Sequence, residues 1–142
     1  MRTRITGAVF AVAVVLLATA CGTKDAATHF SLPTKNSQPA GITVGPDGNI
    51  WFTQFTSGRI ARVDTAGKIS EFPIPTERPG PFDITTGPDG NLWFTEFSAN
   101  KLGRITPAGE FTEFPLPGAK TGPYGITAGP DGNIWFAMQK AN

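Results

Sequence analysis

The 142-residue chain has one cysteine, one histidine and one tyrosine. With a lone Cys no internal disulfide can form, so the fold must be stabilised by burial. There is no imbalance of charge either. Twelve Lys and Arg stand against eleven Asp and Glu, and beyond Arg2 and Arg4 no basic stretch offers an electrostatic footprint for nucleic acid. From residue 29 onward no useful window is free of Pro or Gly, which excludes helical repeats. The apolar run "AVFAVAVVLLATA" at 8–20 is too short for a stable membrane span. The "GPDG" tetrapeptides at 45, 87 and 129 lack the dense carboxylate spacing of an EF-hand, so one Asp per turn reads as ordinary turn chemistry.

The first 28 residues read as a targeting segment. Arg2 and Arg4 precede the apolar run, and small residues lead to Cys21, the order of a secretory signal. The ending "LATAC" at 17–21 resembles a bacterial lipobox, with Ala18 at the position usually held by Leu. That resemblance implies a signal over 1–20, a lipidated Cys21, a polar tether over 21–28 and an exported protein held at the cell membrane by its N-terminal lipid. Cleavage to a soluble secreted protein is the alternative.

What fills the rest is repetition. "GPDGNIWF" at 45–52 returns as "GPDGNLWF" at 87–94 and again as "GPDGNIWF" at 129–136, a step of 42 residues. "EFPIP" at 71 returns as "EFPLP" at 113, and "PAGIT", "PFDIT" and "PYGIT" begin at 39, 81 and 123. From His29 to Asn142 the chain is one unit copied about 2.7 times, a period shared by propeller blades and helical solenoids. Each unit carries the punctuation of four short strands. "GITVG" leads into the "PDG" turn, where Pro46 presets φ and Gly48 accepts a positive one. Ile50, Trp51 and Phe52 are consecutive apolar residues, as in a strand covered on both faces. Gly58, Asn100 and Asn142 share a column and suit the left-handed region of a tight turn. "RIARV" is the third strand, Gly67 and Gly109 close the next hairpin, and "KISEFPIP" is the fourth. Four antiparallel strands in about 40 residues predict an all-β fold of propeller blades. Such rings close with roughly four to eight blades. Fewer than three units imply either part of a longer propeller or a protomer that completes a ring by self-association.

The series "PxGITxGPDGNxWFTE...NKxGRITPxGxxxEFPLP", carried most fully by Pro81 to Pro117, resembles the blade repeat of the streptogramin lyases, the virginiamycin B lyase family of seven-bladed propellers. The resemblance covers residues 29–142. It implies a carbon-oxygen lyase that opens a cyclic depsipeptide antibiotic by elimination, with a histidine as general base and magnesium polarising the ester. The family's catalytic histidines sit in "PHAI" and "EPHGI" at the entrances to late blades. Here the His column holds Ala40, Phe82 and Tyr124, and the preceding acidic column holds Gln38, Gly80 and Gly122. No catalytic or metal residue is carried onto this chain, and magnesium is expected only of a full-length lyase. His29 falls in the column of Glu71 and Glu113, where a solvated strand edge is expected.

Strand parity places the second-to-third-strand loops and the blade-to-blade connections on one face. That face gathers 54–58, 96–100, 76–83 and 119–124. Phe82, Asp83, Glu96 and Tyr124 are its candidate ligand contacts, for a small molecule or a peptide. Asp83 stands where the other units have Gly41 and Gly125, and the rings supply apolar contact area. The alternative is that these residues seal the blade tops. Arg62 and Arg104 share a column inside the third strand and read as structural, with stems between blades and guanidinium groups on loop carbonyls. Two functions follow: a streptogramin lyase whose catalytic blades are not among these residues, or a non-enzymatic envelope propeller lipoprotein that binds a peptide or glycan. A lactonase-type hydrolase fits less well, because the loops lack clustered metal-binding carboxylates.

Overall fold

The computed structural model describes residues 14–16, 28–118 and 120–140. Cys21 and most of the expected signal and tether lie outside the described residues, as do 119, 141 and Asn142. The chain divides into two compact units, 1–36 and 37–142. In the first, β1 (Val14–Leu16) pairs antiparallel with β2 (Thr28–Phe30), Val15 lying opposite His29. His29 is exposed there. No helix among the described residues is long and apolar enough to cross a membrane.

The second unit holds the repeats, and every described element in it is a strand. The first blade is β3 (Pro39–Val44), β4 (Ile50–Gln54), β5 (Arg59–Val63) and β6 (Ile69–Pro73). The second is β7 (Pro81–Thr86), β8 (Leu92–Glu96), β9 (Lys101–Ile105) and β10 (Phe111–Pro115). Both are antiparallel meanders in chain order. A hairpin of β11 (Pro123–Ala128) and β12 (Ile134–Met138) follows. The predicted turn chemistry is present. Gly48, Gly90 and Gly132 take φ of 75°, 74° and 77°, and the shared column of Gly58 and Asn100 takes 64° and 57°, the region open to Gly and tolerated by Asn.

Packing between blades explains the apolar columns. Ile42, Ile84 and Ile126 are equivalent, yet the first is 59% exposed and the others 3% and 7%, because a preceding blade covers the latter two. Trp51 is fully buried while Trp135 is 59% exposed, the same effect at the opposite side of a blade. Each blade also fixes its neighbour through a buried threonine hydroxyl. Thr53 Oγ1 accepts from the Gly41 amide at 2.9 Å and donates to the Phe82 carbonyl at 2.9 Å. Thr95 Oγ1 repeats the pattern, accepting from Asp83 N at 3.1 Å and donating to the Tyr124 carbonyl at 2.9 Å. Both threonines are fully buried, and their hydroxyls satisfy backbone groups where one blade meets the next.

The opposite face is a second repeated unit. Asp47 accepts from Trp51 Nε1 at 2.9 Å and from the Asn49 side chain at 2.8 Å, and Asp89 does the same with Trp93 and Asn91. Arg62 lies over Trp51 and Phe72 with its guanidinium carbon 5.4 and 5.6 Å from the ring centroids, within cation–π range. It also donates to the Pro107 carbonyl of the next blade at 3.1 Å. Arg104 stacks equivalently on Trp93 and Phe114 and pairs with Asp89 at 3.5 Å. Arg62 is therefore held as the sequence suggested, its guanidinium on a loop carbonyl of the next blade, whereas Arg104 donates to the Thr112 hydroxyl at 3.3 Å.

Candidate functional site

At the other end of the blades, four rings meet. The Phe82 and Tyr124 rings stack with centroids 3.9 Å apart. Phe97 meets Tyr124 edge-on at 6.2 Å, and Phe55 meets Phe82 edge-on at 6.3 Å. Phe55 and Phe97 close the circuit at 6.5 Å. Such arrangements favour aromatic pairs beyond simple area burial. The entrance residues of β7 and β11 and the ends of the β4–β5 and β8–β9 loops thus form one aromatic shelf. Tyr124 is its most open member at 43% exposure, and the Lys140 ammonium stands 5.7 Å from the Phe97 ring.

Asp83 lies beside this shelf, but its carboxylate is already engaged. Oδ1 accepts from the Ile84 amide at 2.9 Å and Oδ2 from the Ile126 amide at 3.0 Å. It is a tie from the second blade to the third. A Cβ on Gly41 would come within 2.7 Å of Asp83 Cα and Oδ1, so the glycine on the first blade makes room for the aspartate on the second.

The structure therefore brings Phe82, Asp83 and Tyr124 together and sets Glu96 apart. Glu96 is the last residue of β8, has no exposed surface and sits opposite Lys101 of β9. Neither of its carboxyl oxygens has a donor within hydrogen-bond reach. Burial first, then the charge of the neighbouring Glu113 carboxylate, push the Glu96 carboxyl up to about 8, against some relief from Lys101. Glu113 itself accepts from the Thr76 hydroxyl and lies 3.7 Å from Lys101 Nζ, which donates to Thr76 Oγ1 at 2.6 Å.

The threonine ties, Phe55, Phe97 and Lys101 were not singled out from sequence. Their signal was there in the columns Thr53/Thr95 and Phe55/Phe97, residues repeated at 42-residue spacing without being turn formers.

These residues do not fit a magnesium ion. Among the described residues no three His, Cys, Asp or Glu cluster to hold a metal. The entrance columns present Ala40, Phe82 and Tyr124, which are poor ligands for a hard cation. Glu113, beside the buried Glu96, already has the Lys101 ammonium 3.7 Å from its carboxylate.

Four-stranded blades in meander order, tied side by side through their inner strands beneath a shared loop face, define a β-propeller protein. The sequence profile of the Virginiamycin B lyase family matches residues 18–142, and the chain belongs to that family. Among solved structures, virginiamycin B lyase from Staphylococcus aureus is 45% identical with a TM-score of 0.79, over 82% of this chain and 40% of that one. A catalytically inactive form of the same enzyme with quinupristin gives 45% and 0.80 over the same shares. A streptogramin B lyase structure gives 44% and 0.79, over 82% of this chain and 39% of that one. The chain thus spans about 40% of the length of the solved lyases it matches. No curated protein matches it.

Proposed function

We propose that this chain contributes the early blades of a streptogramin lyase-type propeller, which in full-length form opens the ester of a cyclic depsipeptide by magnesium-assisted elimination. The observation that carries the reading is the 45% identity to virginiamycin B lyase over 82% of the chain. In this division of labour the residues here bind and orient, and the base and metal site belong to other blades. The aromatic shelf of Phe55, Phe82, Phe97 and Tyr124 suits the apolar and aromatic groups of such a macrocycle. Export and anchoring through Cys21 are part of the proposal and rest on the signal-like segment.

A second reading has a specific observation behind it: none of the three blade entrances in this chain carries the family's histidine. On that ground the alternative is a non-enzymatic envelope propeller lipoprotein that uses the same shelf to hold a peptide or glycan. The test is calorimetric titration of the 142-residue chain with a streptogramin B, with mass and chromatographic analysis of the mixture in magnesium. Elimination opens the ring without adding water, so the product has unchanged mass and altered retention. Binding without turnover, weakened at least about tenfold by Tyr124→Ala, is expected. Turnover by this chain alone would refute the assignment of catalysis to other blades. Absence of binding would favour the envelope reading, which capture of a peptidoglycan fragment would then support.

A further inference from the structure

The two blades carry three equivalent columns at corresponding positions and fill two of them differently. In the first blade the pair is Gln54 and Glu71, and Gln54 Nε2 donates to Glu71 Oε1 at 2.9 Å. Ser57 Oγ in turn donates to Gln54 Oε1 at 3.0 Å, so the amide is satisfied on both sides. In the second blade the pair is Glu96 and Glu113, and the Ser57 column is occupied by Ala99. Glutamate has the shape of glutamine but donates only when protonated. With both groups ionised, two carboxylates would face each other inside the protein with no donor on Glu96, an arrangement disfavoured by both repulsion and desolvation.

We propose that one proton shared by Glu96 and Glu113 of the second blade is a latch on the connection at Thr76 that leads into that blade, holding it in place while the proton is bound and loosening it when the proton leaves. The groups there are few. Glu113 comes from β10, Lys101 from β9, and the Thr76 hydroxyl from the connection between β6 and β7. Arg59 of β5 and Arg78 of the same connection line the cleft that Thr76 also lines. Thr76 completes the circuit with consistent polarity, donating to Glu113 and accepting from Lys101. The single ammonium of Lys101 offsets one carboxylate, not two. A proton lost here therefore acts on the connection that runs from Thr76 directly to Phe82 and Asp83. The latch couples alkaline pH to the aromatic shelf, whatever ligand that shelf takes. Gln54 in the first blade is the same device with the proton made permanent.

The decisive measurement is carbon-detected NMR titration of Glu side chains in the 142-residue chain from pH 4 to 10, paired with amide exchange over residues 76–83 corrected for intrinsic rates. One Glu carboxyl of the five in the chain is expected to titrate near 8 and to be missing in Glu96→Gln. Exchange at 76–83 is expected to rise at least about tenfold across the same pH interval in the parent and to stay flat in Glu96→Gln. Gln54→Glu is expected to bring a second high-titrating carboxyl to the first blade. The proposal is overturned if all five Glu groups titrate in the ordinary carboxylate range, or if the exchange step persists in Glu96→Gln. Should that variant not fold, the parent titration alone still decides.

Discussion

Replacing Thr95 by Val removes one hydroxyl and keeps the shape of the side chain almost unchanged. Thr95 is fully buried, and its Oγ1 serves two backbone groups, accepting from Asp83 N at 3.1 Å and donating to the Tyr124 carbonyl at 2.9 Å. In Thr95→Val both are left without that partner. A buried polar group deprived of its bond costs about 1–3 kcal/mol. The Tyr124 carbonyl belongs to an open residue and can recover part of its loss from water, so the expected total is about 2–4 kcal/mol rather than twice the maximum. In a domain of this size that corresponds to a fall in Tm of roughly 10–25 °C. Urea denaturation followed through the tryptophans measures it, with Thr95→Ser as the control. Serine keeps the hydroxyl and loses a methyl, so it is expected to cost only about 1 kcal/mol. A loss below about 1 kcal/mol in Thr95→Val, or equal losses in Val and Ser, would show that the tie between blades is a matter of packing and not of hydrogen bonding.

Three further outcomes follow from the same geometry. Gly103→Ala should destabilise by about 1–3 kcal/mol, since its Cβ would overlap the Phe94 ring; Ala61→Gly, in the same column of the first blade, should cost only about 1 kcal/mol in calorimetric scans. For Asp89, burial works against ionisation, but hydrogen bonds from Asn91 and Trp93 and the charge of Arg104 outweigh it and hold the carboxyl below 3.8. A depressed carboxylate stabilises above its unfolded value and loses that contribution as pH falls through the folded one. The deficit of Asp89→Asn, about 0.5–1 kcal/mol at pH 7 after solvent screening, should therefore shrink when urea midpoints are compared at pH 2.5. Glu96 has the opposite sign. Its folded value, raised from 4.5 to about 8, means the native state holds the proton longer, so stability falls as pH climbs between those values and levels off above. That interval sets a ceiling of roughly 5 kcal/mol; relaxation and water near the loop face reduce the expected loss to about 2 kcal/mol. Glu96→Gln should flatten the curve, and a parent whose urea midpoint is level from pH 5 to 9 would contradict the sign.

The propeller was legible because its determinants are local and repeated. "PDG" requires a positive φ at its glycine, the Gly58/Asn100 column requires a left-handed residue, and a run such as Ile50-Trp51-Phe52 requires cover on both faces. Each of these is a property of a few adjacent residues read two or three times. The loop face was legible for the same reason, since strand parity fixes which turns share an end. Glu96 precedes a loop and so reads as part of that face, yet it shares a face of β8 with Phe94 and Leu92, two and four residues back, and both are buried. Period-two alternation pointed into the seam, and proximity to a loop did not overrule it. Asp83 shows a different limit. Its replacement of glycine was visible, but that its carboxylate meets the Ile126 amide depends on how one blade sits on the next, a distance of 43 residues along the chain that no local pattern encodes.

The apolar and Asp–Trp columns that recur from blade to blade and the columns that differ between blades occupy different places, and this bears on how such a scaffold acquires function. Ile42, Ile84 and Ile126 are identical, as are Trp51, Trp93 and Trp135; they carry packing, the Asp–Trp hydrogen bonds and the arginine stacks. The columns Ala40/Phe82/Tyr124, Gly41/Asp83/Gly125 and Gln54/Glu96/Met138 vary, and all three lie at the loop-face end of the inner two strands. Substitution there changes rings, charges and protons while the opposite end keeps each blade folded. The variation is not free, however. Asp83 is accommodated because Gly41 leaves space for it, and Glu96, its pKa raised by burial and by Glu113, is accommodated as the neutral acid. A new group at this end must be accommodated by the blade beside it. The seams between blades are therefore where changes of binding, chemistry and pH response in this fold are coupled.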